Sequence, residues 1–266
     1  MTRAAAIVDG SSILVCGGLT ANGSTTGSII RLEPEAGQVR TAARLASPVH
    51  DAGAATLDGS GLVLGGGARL AGTSVQRLEP TGGTLTIGRL PAPRADLSAV
   101  SVAGELLVVG GGTPSAPDAR VLATTDGVRF RTIARLARAV RYPAVAAVGG
   151  IVYVIGGTTG AGDTTAIQAI DPLTGAVRAV GQMPAAISHA SALVIDGSLL
   201  IAGGRVGGRP QDLVWRIDLD GGPVERVGRL PYTVSDAAAA VLGGTGYLIG
   251  GERRGPLDTI ITLQPD

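Results

Sequence analysis

Lysine is absent from this sequence: all 22 basic residues are arginine. Without lysine there is no Walker A phosphate loop, and arginine use beside so much alanine and glycine reflects base composition rather than selection for binding. Aromatic residues are scarce, with one Trp, one Phe and four Tyr in 266 positions. A core must therefore come from Val, Leu, Ile and Ala, and stacking platforms for bases or sugars are few. The single Cys16 excludes an intrachain disulfide and leaves the redox compartment open. One Cys and two His exclude metal sites rich in those ligands and leave carboxylates as the route to Ca²⁺ or Mg²⁺, so no metal or cofactor is expected. No Gly-x-Ser-x-Gly elbow occurs. No apolar run approaches the ~20 residues that span a bilayer. Met1-Thr2-Arg3 and the short alanine run after it lack the apolar segment of a signal peptide. An extracytoplasmic domain with its leader or anchor trimmed and a cytoplasmic protein both fit. A formal net charge of +1 provides no field to steer nucleic acid or an anionic membrane, so neither is expected as a partner.

What the chain has is glycine, 43 residues of it, in a regular place. Apolar runs end in a glycine pair six times, as in Leu106-Leu107-Val108-Val109-Gly110-Gly111. The first glycines fall at 17, 65, 110, 156, 203 and 250, at intervals of 48, 45, 46, 47 and 47. A period that fills the chain makes residues 1–266 one domain of six repeats. Each repeat reads as four short strands. In the second, these are Asp51 to Leu57, Leu62 to Leu64, the alternating Ser74 to Glu79, and Thr84 to Leu90 before Pro91, with turns at Asp58-Gly59 and Thr81-Gly82-Gly83. No stretch has helical periodicity, so the chain is all-β.

An apolar strand, an Asp-Gly turn, a second apolar strand, Gly-Gly, a strand ending Asp-Pro, Thr-Gly, and a strand ending Leu-Pro resembles the kelch repeat. Asp171-Pro172-Leu173-Thr174-Gly175 through Met183-Pro184 is the nearest copy. The resemblance implies a six-bladed β-propeller of four-stranded antiparallel blades. One departure is the family's Trp early in the fourth strand, replaced by Val39, Thr84, Phe130, Val177 and Val224; aliphatic side chains must then fill the space between blades. The other lies at the ends. The sequence starts inside a first strand and stops after a third, Ile260 to Gln264-Pro265. Two readings fit: a three-stranded sixth blade with Ile260-Ile261-Thr262-Leu263 as an edge open to strand association, or a native flanking strand cut away from the sequence.

In such blades the loops between second and third strands share a face with the links between blades, and they vary here, as recognition loops do. Counting back 14 residues from the first glycine gives Asp51, Asp96, Tyr142, His189 and Asp236. In the first repeat the matching position is Thr2 by the turn or Arg3 by the glycines. These residues open the innermost strand around the channel. They are either a ring for a cation, water or a small polar ligand, or a means of satisfying backbone N–H groups at strand starts. Beside them lie His50, Arg94, Arg141, Ser188 and Ser235, where arginine suits carboxylate or phosphate. The expected site is thus Asp51, Asp96, Tyr142, His189 and Asp236 with His50, Arg94 and Arg141, in a non-catalytic binding module for a protein or a small polar or acidic ligand. No catalytic residue is assigned. The resemblance also implies an enzymatic alternative, an acidic-sugar mutarotase or isomerase using Asp, His and Arg. A kelch-type copper oxidase would need a Cys, Tyr and His set that Cys16 lacks.

Overall fold

The computed structural model describes residues 1–80 and 82–264; Thr81 of the expected turn and Pro265 lie outside them. All the regular structure described is strand. Hairpin pairing groups the strands into successive antiparallel units. Each runs from an inner strand to an outer one. In the fourth unit they are Ala144–Val148, Ile151–Ile155, Ala166–Ile170 and Val177–Gln182. The first unit is Ala5–Asp9, Ser12–Cys16, Ser28–Glu33 and Gln38–Arg44. The last contains Ala238–Leu242, Thr245–Ile249 and Ile260–Leu263, with no fourth strand among the described residues. One boundary differs from expectation. The strand Thr84–Val102 does not stop at Pro91 but runs through it, serving as outer strand of the second unit and inner strand of the third. Proline's fixed φ is compatible with extended backbone, so nothing forces a break there.

The glycine pairs act as structural turns. At Gly156 φ is +60° and at Gly157 +95°, a region open mainly to glycine. A Cβ on Gly156 would sit 2.2 Å from the carbonyl oxygen of Ile187, so the pair also allows the link from the next unit to pass at backbone contact. That link is fastened there, Gly157 N–H donating to Ile187 O at 2.8 Å. The contact recurs where the chain closes on itself: Gly251 N–H donates to Met1 O at 2.8 Å and the Met1 ammonium to Leu257 O at 2.5 Å.

Aliphatic side chains from the middle strands fill the space between units. Leu64, Leu106, Val108 and Leu122 pack between the second and third, and Ile13, Val15 and Leu32 close the first against Ala238, Leu242 and Tyr247 of the last. Of the residues at the family's tryptophan position, Phe130, Val177 and Val224 pack against these clusters, while Val39 is exposed. The inner strands carry small residues because neighbours crowd near the axis. A Cβ on Gly53 would come within 2.9 Å of the Ala99 backbone nitrogen. The resulting channel is walled by residues such as Ala52, Ala54, Ala99, Ala190 and Ala192.

Candidate functional site

At one mouth of the channel the six units contribute Arg3, Asp51, Asp96, Tyr142, His189 and Asp236. All six have positive φ, between 52° and 60°. Arg3 takes the position left open in the first repeat. Main-chain bonds join five of the six neighbouring pairs: Asp51 N–H donates to Arg3 O, Tyr142 to Asp96, His189 to Tyr142, Asp236 to His189 and Arg3 to Asp236, at 2.9–3.1 Å. The backbone N–H groups of these five donors are therefore satisfied by carbonyls of adjacent ring residues. Their side chains are not needed for that purpose, and the ring side chains line the cavity, whose volume is about 200 Å³.

They meet there as ion pairs. Arg3 Nη1 donates to Asp51 Oδ2 at 3.2 Å, and its Nε lies 3.7 Å from Asp236 Oδ1. Arg141 pairs with Asp96 and directs Nη2 to the Tyr142 hydroxyl at 3.4 Å. The Tyr142 and His189 rings stack with centroids 3.8 Å apart. His189 Nδ1 is 2.7 Å from Asp236 Oδ1. Beside a carboxylate that nitrogen carries the proton, which leaves Nε2 as an acceptor. Asp236 also accepts from Arg205 Nη2 at 2.9 Å and from the Ser235 hydroxyl at 2.8 Å. His50 stands at the edge of the group, Nε2 3.7 Å from Asp51 and Nδ1 2.9 Å from the Thr25 hydroxyl. No group of three metal-ligating side chains converges among the described residues. The arrangement is one of carboxylates each paired with an arginine.

Two near-identical carboxyl groups are driven apart by their surroundings. Burial, helped by the nearby Asp96 and Asp236 charges, lifts Asp51 to about 7 against the pull of Arg3. Asp236 is equally buried, but there the hydrogen bond from His189 and the charges of Arg205 and Arg3 outweigh desolvation and hold it below the ordinary carboxylate value. Burial and Arg3 lower His50; burial and the Asp51 and Asp96 charges raise Tyr142. A carboxyl whose folded pKa is raised gives stability that is complete below its ordinary pKa and is lost as pH rises through the folded value. Asp51→Asn should therefore melt close to the wild type near pH 4 and roughly 5 °C above it at pH 8. Melting curves of both proteins across that range check this, and parallel pH profiles would count against it.

One expected member is elsewhere. Arg94, placed beside the ring in sequence, turns away from the channel and is fully buried between units. It lies two residues before Asp96, where the other repeats have Met1, Val49, Val140, Ile187 and Val234, and this position faces the glycine pair. Its Nη2 meets Asp118 Oδ2 at 2.7 Å, and its Nη1 donates to Gly110 O and Arg120 O at 3.2 and 2.9 Å. Arg3, one of the two residues that fit the first repeat's ring position, and Arg205, a loop arginine of the same face, complete the cluster. Arg3 was recoverable by counting from the glycines. Arg205 directly follows its glycine pair and reaches the ring by pairing with Ser188.

An all-β ring of repeated antiparallel units, closed through its first and last members around a channel with a polar mouth, is a β-propeller. The kelch motif model matches residues 139–184 and 186–222. Among solved structures, that of YjhT superposes with a TM-score of 0.84 at 16% identity, over 99% of this chain and 94% of the other. No curated protein sequence matches the chain.

Proposed function

We propose that the channel mouth binds a small acidic, hydroxyl-rich molecule the size of one sugar ring, and that the propeller is a binding module for it. The observation that carries this is the ring of six side chains held at positive φ. The chain uses glycine in most of its positive-φ turns, where it costs nothing sterically. A non-glycine residue there is disfavoured by about 1–2 kcal/mol, yet all six ring positions keep a side chain and direct it to one cavity. Strain of this kind marks functional sites when the surrounding structure enforces it. Arg3 Nε is buried with no hydrogen-bond partner among the described residues, a donor suited to a carboxylate oxygen. Asp51, Asp96 and His189 provide acceptors for hydroxyls. A volume near 200 Å³ falls below the roughly 300–1,000 Å³ of typical ligand pockets and favours a single ring. Titration calorimetry with hexuronic acids, and with neutral hexoses as controls, tests the reading. Asp96→Ala/His189→Ala should abolish heat of binding while the circular dichroism spectrum stays native. Unchanged binding in that folded variant would sink it.

A second reading, proton transfer on the bound sugar as in mutarotation, is favoured by Asp51. A carboxyl that titrates near neutrality can both give and take a proton, and His189, oriented by Asp236, presents Nε2 as a complementary acceptor. The two readings separate by NMR exchange between anomers. Acceleration by the wild type and its loss in a ligand-binding Asp51→Asn variant would support catalysis; binding without acceleration leaves the module.

A further inference from the structure

The ion pairs at the channel mouth leave no arginine over for a ligand. Arg3, Arg141 and Arg205 face four carboxylates there: Arg3 meets Asp51 and Asp236, Arg141 meets Asp96, and Arg205 meets Asp236 and Glu252. An acidic sugar brings a fifth carboxylate into the same small space. Carboxylates that share one site do not all stay ionised, because each raises the proton affinity of the others. Entry of an acidic ligand therefore requires one of the resident four to take up a proton.

The contacts single out Asp51. Asp96 accepts from two nitrogens of Arg141. Asp236 accepts from Arg205 Nη2, the Ser235 hydroxyl and His189 Nδ1. Glu252 has 33% of its side chain exposed, where water and salt screen its charge. Asp51 is only 8% exposed and has, among the described residues, one side-chain donor, Arg3 Nη1 at 3.2 Å. That arginine is shared, its Nε lying 3.7 Å from Asp236. No other group around Asp51 supplies a cation at neutral pH. His50 Nε2 is 3.7 Å away, and burial beside Arg3 lowers its proton affinity. Asp96 of the third unit and Asp236 of the sixth are like charges. The Tyr142 hydroxyl of the fourth stays neutral, and His189 of the fifth turns its Nδ1 to Asp236. The proton affinity of Asp51 agrees with this placement, raised by burial to about 7.

Taking the mouth as the seat of an acidic sugar, we infer that Asp51 makes the site selective for the anion together with one proton: the sugar carboxylate binds at Arg3 as Asp51 becomes a neutral acid. Ionised, Asp51 holds Arg3 and repels the anion. Protonated, it frees Arg3 and presents an O–H donor in place of a charge. The proton comes from water or buffer and returns there when the ligand leaves, so no further reactant is consumed.

Titration calorimetry with glucuronate, in buffers of different ionisation enthalpy at several pH values, tests the coupling. The difference in heat between buffers counts the protons taken up per ligand. Uptake should be about one proton at pH 8 and about none at pH 5, and Kd should rise about tenfold from pH 6 to pH 8. Asp51→Asn, neutral at every pH, should keep the acid-side affinity of the wild type throughout and take up no proton. Asp51→Ala should lose the uptake as well, so the outcome does not depend on how the asparagine packs. Uptake that persists in both variants would assign the proton to His50 or His189 and overturn the inference. Glucuronate binding with equal heats in all buffers at pH 8 overturns it too, while leaving the acidic-sugar site intact. Absence of heat at every pH removes that site and the coupling together, which tells the two failures apart.

Discussion

Asp118→Ala is expected to lower the unfolding free energy by about 3–5 kcal/mol, the cost of leaving a buried charge without its partner. Arg94 is fully buried, and Asp118 is the only carboxylate paired with it among the described residues. Burial already depresses the Arg94 pKa in spite of Asp118, and its Nε has no hydrogen-bond partner among the described residues. Removing the carboxylate leaves the guanidinium only the Gly110 and Arg120 carbonyls. The melting temperature should fall by roughly 10 °C for a chain of this size. Arg94→Met carries the test further. Five of the six repeats already hold an apolar residue at that position, and replacing a buried ion pair by packed apolar groups is often neutral or stabilising. The double variant Arg94→Met/Asp118→Ala should therefore be more stable than Asp118→Ala alone. Denaturant unfolding of the four proteins in the cycle measures the coupling. A fully additive cycle would show that the pair does not act as a unit.

Gly156→Ala should destabilise by about 2–5 kcal/mol, combining the φ penalty of an L-residue in the left-handed region with overpacking. Its Cβ would stand 2.2 Å from Ile187 O, and that carbonyl cannot move freely because it accepts from Gly157 N–H. Gly149→Ala is the internal control. Its φ, +57°, is nearly the same as the +60° of Gly156, and nothing lies within 4 Å of the added carbon, so only the backbone term of about 1–2 kcal/mol remains. Equal losses in the two variants would show that the glycine pair is selected for φ alone and not for the close passage of the next link.

These two sites differ in how far sequence reveals them. The six glycine pairs recur at a period near 47 after an apolar strand, and repetition separates a structural turn from a ligand loop. Counting back from them found five ring residues directly. At the first repeat, the turn and the glycines gave different answers. The hairpin register explains why the glycines were the better guide. Asp9 pairs with Ser12, so Asp9 is the last residue of its strand; Asp58 lies within the turn between Leu57 and Ser60. The Asp-Gly dipeptide slides by one residue, whereas the residue two past each ring position pairs with the one before the glycines, as Ala5 with Cys16 and Ala144 with Ile155.

By itself the sequence determined the strand order, the repeat, the aliphatic packing and the place of the polar ring, because each follows from local spacing in a repeated antiparallel unit. The tertiary structure alone decided which charges meet. Arg94 and Arg141 both looked like rim arginines, but strand alternation and the passing glycine pair sent one between units and the other to Asp96. Arg205 reached Asp236 across 31 positions only because neighbouring units bring their inner strands together. The different proton affinities of Asp51 and Asp236 come from the same source: Asp236 gains His189 and Arg205 from adjacent links, while Asp51 has burial and Arg3.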